Sequence, residues 1–500
     1  MTAGRDALAR AYLARAYEAR WLIAVSAAFI LTQLVFGSPH MGLGWDETVY
    51  ISQVSPHVPT EYFSPPRARG ITLLPAPLLR LTSSVVALRL YLTVLAAVGL
   101  VIAYWPWLAL VRARIVALAA LFLTGLWVVQ FYGDQVMPNL YVAYGAVAAT
   151  GWFLRAVLDK GRAWMGLAAA LAFMTLMRPP DALFLAATLL VAALAVKAWR
   201  RRGPAVAIVT GTAAGLIPWL VESWVRFGGP LERLRLSGRT EGGMGFHPEA
   251  IWYQLKALNG PTLCRPCGGA IRWNHPELAA WWLILPILTA AGVMIAARTG
   301  RRDSAVTAAV CGAVLAIPYL FTLRYAAPRF LIPTYALLAV PVGILFDAAL
   351  AWARERNRVL VAGVALLIGT QLVTQNAVLR HRIADQDKGR AATVRLARRL
   401  AALGITAPCV VAGRQGPYLG FYTGCASAAT SEDNPYVTHA TILRTARTSC
   451  SMAFLTSGKK HLSYLTGWSE HPYTDAGTHW SIYVAPRSSE SGTCARAALS

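Results

Sequence analysis

The sequence predicts a polytopic α-helical membrane protein with a small α/β domain at its C-terminal end, and three observations carry that prediction. Of 500 residues, 56% are hydrophobic and only 14% charged, whereas soluble domains carry about 25% charged residues. Apolar blocks long enough to cross roughly 30 Å of hydrocarbon as a helix recur along the chain, about eleven in all. Basic residues gather in every second connection between these blocks, as they do when Lys and Arg stay on the cytoplasmic side.

The blocks cover residues 21–37, 88–110, 115–131, 140–157, 164–177, 182–196, 205–221, 278–297, 305–322, 330–349 and 359–374. The first is followed by Ser38, Pro39 and His40 rather than a small-x-small cleavage site, so it reads as a retained helix. Arg5, Arg10, Arg15 and Arg20 precede it. The later basic connections hold Arg112 and Arg114, Lys160 and Arg162, Lys197 with Arg200 to Arg202, Arg298 with Arg301 and Arg302, and Arg354 with Arg356 and Arg358. This alternation puts the N-terminus in the cytoplasm and the C-terminal end outside a bacterial plasma (inner) membrane. Much of the net charge of +24 is therefore topology, and no nucleic-acid module or partner is called for.

On this map residues 1–375 form a transmembrane domain with outer loops 38–80 and 222–277, and residues 376–500 form an extracytoplasmic domain. The tail alternates an amphipathic helix, LARRLAALGI, with short β-like runs, APCVVAG, SMAFLTS and HWSIYVAP, which is the pattern of a small α/β domain. Six of the seven cysteines fall outside: Cys264 and Cys267 as a C-x-x-C, and Cys409, Cys425, Cys450 and Cys494 in the tail. An even number in an oxidising compartment implies disulfides, whose pairing the sequence does not settle.

Acids are scarce near the outer face, so their positions are informative. Asp46 and Glu47 follow the first block in GWDETVY, Asp134 ends the third, Asp181 follows Arg178-Pro179-Pro180 at the end of the fifth, and Glu222 ends the seventh. Ionisable groups at membrane depth are expensive and usually face a cavity. Arg178, Arg324 and Arg329, with Arg67 and Arg69 in the first loop, stand on the side that basic residues normally avoid, and an anionic lipid headgroup would account for them.

The Asp46-Glu47 pair after the first block, Tyr50 behind it and the Pro-containing stretch that follows resemble the GT-C superfamily of membrane glycosyltransferases. The nearest likenesses are the protein O-mannosyltransferases and the aminoarabinose transferases of lipid A. The run Arg324-Tyr325-Ala326-Ala327-Pro328-Arg329-Phe330-Leu331-Ile332-Pro333 is similar to the R-Y-x-x-P-x-x-x-x-P stretch late in such enzymes, and Arg178-Pro179-Pro180-Asp181 to their R-P-x-x segment. The resemblance covers residues 20–375 and implies a GT-C-like fold acting on a polyprenyl-phosphate sugar, with membrane lipid and a glycan, lipid or protein acceptor as partners. It implies a catalytic base at Asp46, with Glu47 beside it to raise its pKa, and Asp134 as a second acid that orients acceptor or base. Tyr50, Arg178, Asp181, Arg324 and Arg329 are the substrate-binding candidates, the arginines because guanidinium forks match phosphate oxygens. No cofactor beyond the lipid-linked donor is implied; no D-x-D occurs in the outer loops, so a divalent metal has no motif behind it.

Plainer readings stand beside these. Asp46-Glu47 serves equally as a solvated helix end, Asp134 as an N-terminal cap of the fourth span, Arg178 and Asp181 as a structural pair at a bent helix end, and Arg324 and Arg329 as side chains snorkelling to phospholipid. A transporter or flippase of an anionic lipid would use the same residues, although no repeated halves are visible. A non-catalytic envelope-assembly protein and a polysaccharide polymerase or ligase complete the alternatives.

Overall fold

Helices stand at all eleven apolar blocks in the computed structural model, which describes residues 2–37, 39–158, 161–243, 245–259, 261–264, 275–430, 434–448, 451–458 and 462–486. Among these residues eight helices are long and apolar enough to cross a membrane: Ala19–Phe36, Val85–Ala109, Pro138–Val157, Arg202–Phe227, Pro276–Arg298, Arg302–Phe321, Pro328–Arg356 and Arg358–Ala402. Two shorter apolar helices, Ala163–Met177 and Pro179–Ala195, fill the fifth and sixth places. The chain is a multi-pass membrane protein.

The third block departs from its expected form. It is two helices, Ala113–Thr124 and Trp127–Gly133, meeting at 78°. Leu126 between them is extended (φ −74°, ψ 132°), and Gly125 admits the Leu372 side chain so closely that a Cβ there would stand 2.3 Å from Leu372 Cδ2. The last block also runs further than expected, as one helix from Arg358 to Ala402. Among the described residues of loop 222–277 stand the helices Pro230–Thr240 and Ala250–Ala257.

The chain forms two compact units, Met1–Gly37 with Leu92–Pro230 and Glu241–His381, and Ser38–Tyr91 with Leu231–Thr240 and Arg382–Ser500. In the first, the Pro138–Val157 helix is buried nearly all round. Small residues let its neighbours approach: Gly211 and Gly215 pack on Ala168 and Ala172 of the Ala163–Met177 helix, where a Cβ would lie 2.4 and 2.3 Å from the carbonyl oxygens. This is how helices associate where no water is available to expel. Prolines set the breaks. Arg178 precedes Pro179 and Ala327 precedes Pro328, and both are extended (φ −158°, ψ 95° and φ −142°, ψ 126°), because the proline ring disfavours helical backbone in the residue before it.

The second unit is built on a five-stranded sheet of strands β1 (Val410–Gly413), β2 (Ala426–Ala429), β3 (Met452–Ser457), β4 (Ser469–Asp475) and β5 (Thr478–Val484), in the order β2-β1-β3-β5-β4. The first three strands pair in parallel, with helices Gly416–Thr423 and His439–Thr448 in the crossovers; β3, β5 and β4 are antiparallel. β4 and β5 turn through Ala476 and Gly477, both at positive φ, the backbone that a two-residue hairpin favours. Cys409, Val411, Leu455 and Ile482 meet Leu396 and Leu400 on one face, while Val410, Ala412, Phe454 and Tyr483 meet Ile442 on the other. This is the small α/β domain the tail sequence predicts. Cys409 and Cys425 form a disulfide, and Cys264 is disulfide-bonded. Cys267, Cys450 and Cys494 lie outside the described residues.

Candidate active site

In the second unit, the expected first-loop acids sit on the Trp45–Ser52 helix with different surroundings. Asp46 is partly exposed and accepts a hydrogen bond from Arg67 Nη1 at 2.8 Å. Arg67 is held from three sides. Its Nε donates to Ser64 Oγ at 3.1 Å, its guanidinium lies 5.2 Å from the centre of the Tyr50 ring, and its carbonyl accepts from Arg233 Nη2 at 2.8 Å. Tyr50 is thus buried beneath Arg67 and against Phe63.

Glu47 is 1% exposed and takes a two-pronged hydrogen bond from Arg89, Nη1 to Oε1 at 2.5 Å and Nη2 to Oε2 at 2.8 Å. Arg390 Nη1 lies 3.3 Å from Oε2, and the Gly44 N–H donates to the same oxygen at 2.7 Å. Both arginines also donate to the Gly42 carbonyl. Burial by itself pushes Glu47 up, yet the charge and hydrogen bonds of Arg89, with Arg390 and Gly44, hold it below the usual carboxylate range. The acid expected to act on Asp46 thus has two guanidiniums of its own against it.

Three groups in this unit were missed. Arg233, wholly buried, donates from Nε to the Pro65 carbonyl at 3.0 Å and from Nη2 to that of Arg67, fastening the Pro65-Arg67 turn. Arg390 lies in the tail, 343 residues from Glu47. Glu61 is 3% exposed, and its Oε2 has no hydrogen-bond partner among the described residues. It faces Gly420, where a Cβ would come within 2.6 Å of Glu61 Oε1. Burial pushes this carboxyl up to about 8, although the Ser427 hydroxyl beside it pulls the other way. The folded chain therefore holds a proton that the unfolded chain gives up near 4.5, so stability is greatest below that value and falls as pH rises through about 8. Glu61→Gln is expected to flatten this decline and to unfold several degrees above wild type at pH 8.5, by thermal unfolding in detergent. Parallel pH profiles for the two proteins would refute the assignment.

In the first unit, the other candidates gather around Phe330. Arg178, extended at the break before Pro179, pairs through Nε with Asp181 Oδ2 at 3.3 Å, and Asp181 also accepts a short hydrogen bond from Tyr319. The Arg178 guanidinium lies 5.2 Å from the centre of the Phe330 ring and 5.4 Å from that of Tyr319. Arg329, on the short helical turn Pro328–Leu331, lies 5.3 Å from the same Phe330 centre. One aromatic ring thus has two cations against it, the contact that ring quadrupoles favour. Tyr325 packs edge-on to Phe330 and donates a short hydrogen bond to Glu241.

Arg329 Nη1 also reaches Tyr132 Oη and the Thr262 carbonyl, each at 3.4 Å, and its guanidinium lies 5.8 Å from the Tyr132 ring centre. Cys264 and Ala326 exchange backbone hydrogen bonds at 3.0 and 3.3 Å, tying loop 222–277 to the segment that carries Arg329. Tyr132 belongs to the Trp127–Gly133 helix, and Asp134 is that helix's C-terminal cap, 7% exposed. Asp134 does not cap the following helix, whose N-cap is Met137. A carboxylate at a helix C-terminus opposes the helix dipole, so helix stabilisation does not explain it. Arg324 stands apart, exposed, with Nε donating to His247 Nε2 at 3.2 Å. Among the described residues no group of three or more His, Cys, Asp or Glu is arranged to hold a metal ion.

No protein-family model and no curated protein sequence matches the chain. Solved structures do. The crystal structure of ArnT from Cupriavidus metallidurans bound to undecaprenyl phosphate is similar at a TM-score of 0.67 and 14% identity, over 94% of this chain and 98% of that one. The chain has the GT-C fold. The oligosaccharyltransferase of Archaeoglobus fulgidus, tethered with an acceptor peptide, shares this GT-C architecture at a TM-score of 0.50 and 11% identity, over 88% of this chain and 69% of that one. An arabinofuranosyltransferase AftD from Mycobacteria matches at a TM-score of 0.50 and 12% identity, over 96% of this chain but 42% of its own length. Expected from a handful of residues around Asp46, Arg178 and Arg324, the GT-C fold extends through nearly the whole chain.

Proposed function

We propose that the chain is an integral-membrane glycosyltransferase that moves a sugar from a polyprenyl-phosphate donor to an extracytoplasmic acceptor, a cell-envelope glycan, lipid or protein. The observation that carries this reading is the pair of guanidiniums, Arg178 and Arg329, against one aromatic ring in an apolar helical unit. Such a pair matches a lipid phosphate, whose departure needs neutralised charge rather than a strong acid. Two solved structures of this fold hold such lipids by their descriptions, ArnT with undecaprenyl phosphate and the archaeal AglB with a dolichol-phosphate.

In this reading residues 1–375 form the membrane domain and 376–500 the extracytoplasmic domain, with the N-terminus in the cytoplasm of a plasma-membrane protein. The reaction is a single displacement with inversion. The acceptor oxygen bonds to the anomeric carbon, the bond from that carbon to the phosphate oxygen breaks, polyprenyl phosphate leaves with the electron pair, and the acceptor's proton goes to Asp46. Arg67 orients Asp46, Glu47 anchors the helix that carries it, and Asp134 orients the acceptor. Arg178 and Arg329 hold the phosphate, and Asp181 with Tyr319 fixes Arg178.

The test is transfer by purified protein in nanodiscs from a panel of polyprenyl-phosphate sugars, together with binding of undecaprenyl phosphate. Arg329→Gln is expected to weaken that binding by roughly 10–100-fold, the value of a charge-assisted hydrogen bond. Unchanged affinity in the variant, with no sugar transferred from any donor, would overturn the proposal.

A further inference from the structure

The large apolar side chains that the second unit leaves exposed are not scattered. Among the described residues its tail, from Arg382 onward, exposes Tyr436 alone. Leu90 belongs to the span Val85–Ala109, and the others fall on two stretches, Leu73 and Leu81 on one (55% and 83% exposed), Leu231 and Leu234 on the other (83% and 53%). Both stretches adjoin spans along the chain. Thr82 to Ser84 separate Leu81 from Val85–Ala109, and Gly228 and Gly229 separate the helix Arg202–Phe227 from Pro230–Thr240. At no more than about 3.6 Å per residue, Leu81 and Leu231 each lie within roughly 15 Å of a span's end.

The Pro230–Thr240 helix is inside out for a surface bathed in water, where the apolar stripe turns to the core and the charges face outward. Here Arg233 and Thr240 are buried, whereas Leu231, Leu234 and Arg235 fall at the spacing of one outward stripe. A Cβ at Gly238, the next position of that stripe, would meet nothing within 4 Å. Arg235 and Arg239 flank the leucines and are exposed, Arg235 donating from Nε to Glu232 Oε2 at 2.8 Å. The other stretch repeats the arrangement, with Leu73, Pro77 and Leu81 exposed at every fourth residue and Arg80 exposed beside them. Leucines with arginines at their flank, at the end of a span, suit the boundary between acyl chains and headgroups, where each finds its own solvent.

We propose that residues 70–81 and the Pro230–Thr240 helix lie in the membrane interface, with Leu73, Leu81, Leu231 and Leu234 among phospholipid acyl chains and Arg80, Arg235 and Arg239 level with the headgroup phosphates. From the opposite side of the same helix, Arg233 fastens the Pro65-Arg67 turn through its carbonyls, and Arg67 donates to Asp46. Lipid contact thus braces the loop that holds Asp46. The contact stands without the transferase reading; only the bracing of a catalytic base rests on it.

The test uses the purified full chain in phosphatidylcholine nanodiscs, with the photoreactive residue p-benzoylphenylalanine in place of Leu81, Leu231, Leu234 or, as the exposed control on the tail, Tyr436. After irradiation, mass spectrometry is expected to find phospholipid adducts at the three leucine positions at least about tenfold more often than at Tyr436, the ratio set by burying one leucine side chain. Adducts no more frequent there than at Tyr436, or crosslinks joining two copies of the chain in their place, would overturn the proposal. For the bracing, Leu231→Glu is expected to speed hydrogen exchange of the amides of residues 64–70 at least about threefold while the tail sheet keeps its protection; equal exchange in the two proteins would overturn it. Neither measurement involves sugar transfer, so failure here is distinct from failure of the transferase reading.

Discussion

Asparagine in place of Asp46 is expected to lower sugar transfer by roughly 10²–10⁴-fold, the usual contribution of a positioned general base, while donor affinity stays within about twofold of wild type. The substitution preserves shape, and the asparagine Oδ1 still accepts from Arg67 Nη1, now 2.8 Å from the carboxylate. Arg67 keeps its Ser64 hydrogen bond and its seat over Tyr50, so the loop has no reason to move. What disappears is the capacity to take a proton. Turnover and donor affinity measured on the same preparation separate the two effects, and transfer at the wild-type rate would remove Asp46 from the mechanism.

Arg89→Leu is expected to cost roughly 3–5 kcal/mol of stability, because it leaves a carboxylate buried with most of its compensation removed. Arg390 at 3.3 Å and the Gly44 N–H would remain, neither replacing the two-pronged contact of Arg89. A paired change, Glu47→Gln with Arg89→Leu, should recover part of the loss, since an amide is cheaper to bury than a charge. The pH dependence supplies an independent check. Glu47 lies below its ordinary value of 4.5 when folded, so its contribution is present above that pH and fades as pH falls further. In Arg89→Leu that fading should move to higher pH. Thermal unfolding in detergent across pH 3–8 measures both; a variant within about 0.5 kcal/mol of wild type would show the pair to be structurally idle.

The positions of the helices were legible because bilayer thickness fixes the length of an apolar block independently of what packs beside it. The bend in the third block was not, since Gly125 carries no signal that Leu372, nearly 250 residues on, will wedge against it. The same distinction runs through the candidate site. Arg178 and Asp181 lie three residues apart at the start of one helix, and local spacing was enough to pair them. The identity of Glu47's partners was hidden, because Arg89 and Arg390 lie 42 and 343 residues away and no periodicity links such positions. Arg233 and Glu61 were overlooked for a related reason: each reads as an ordinary polar loop residue until a distant segment closes over it. The fold was therefore largely open to inspection, and the chemistry only where both partners share a helical turn.

Each of the two cations at Phe330 adjoins a proline ring, Arg178 directly before Pro179 and Arg329 directly after Pro328. A proline ring disfavours helical backbone in the residue before it and fixes its own φ, so the main chain at Arg178, and the residue that leads into Arg329, are set by covalent geometry rather than left to a ligand to impose. If the two guanidiniums hold a lipid phosphate as proposed, part of the entropic toll of assembling that receptor has been settled before the anion docks.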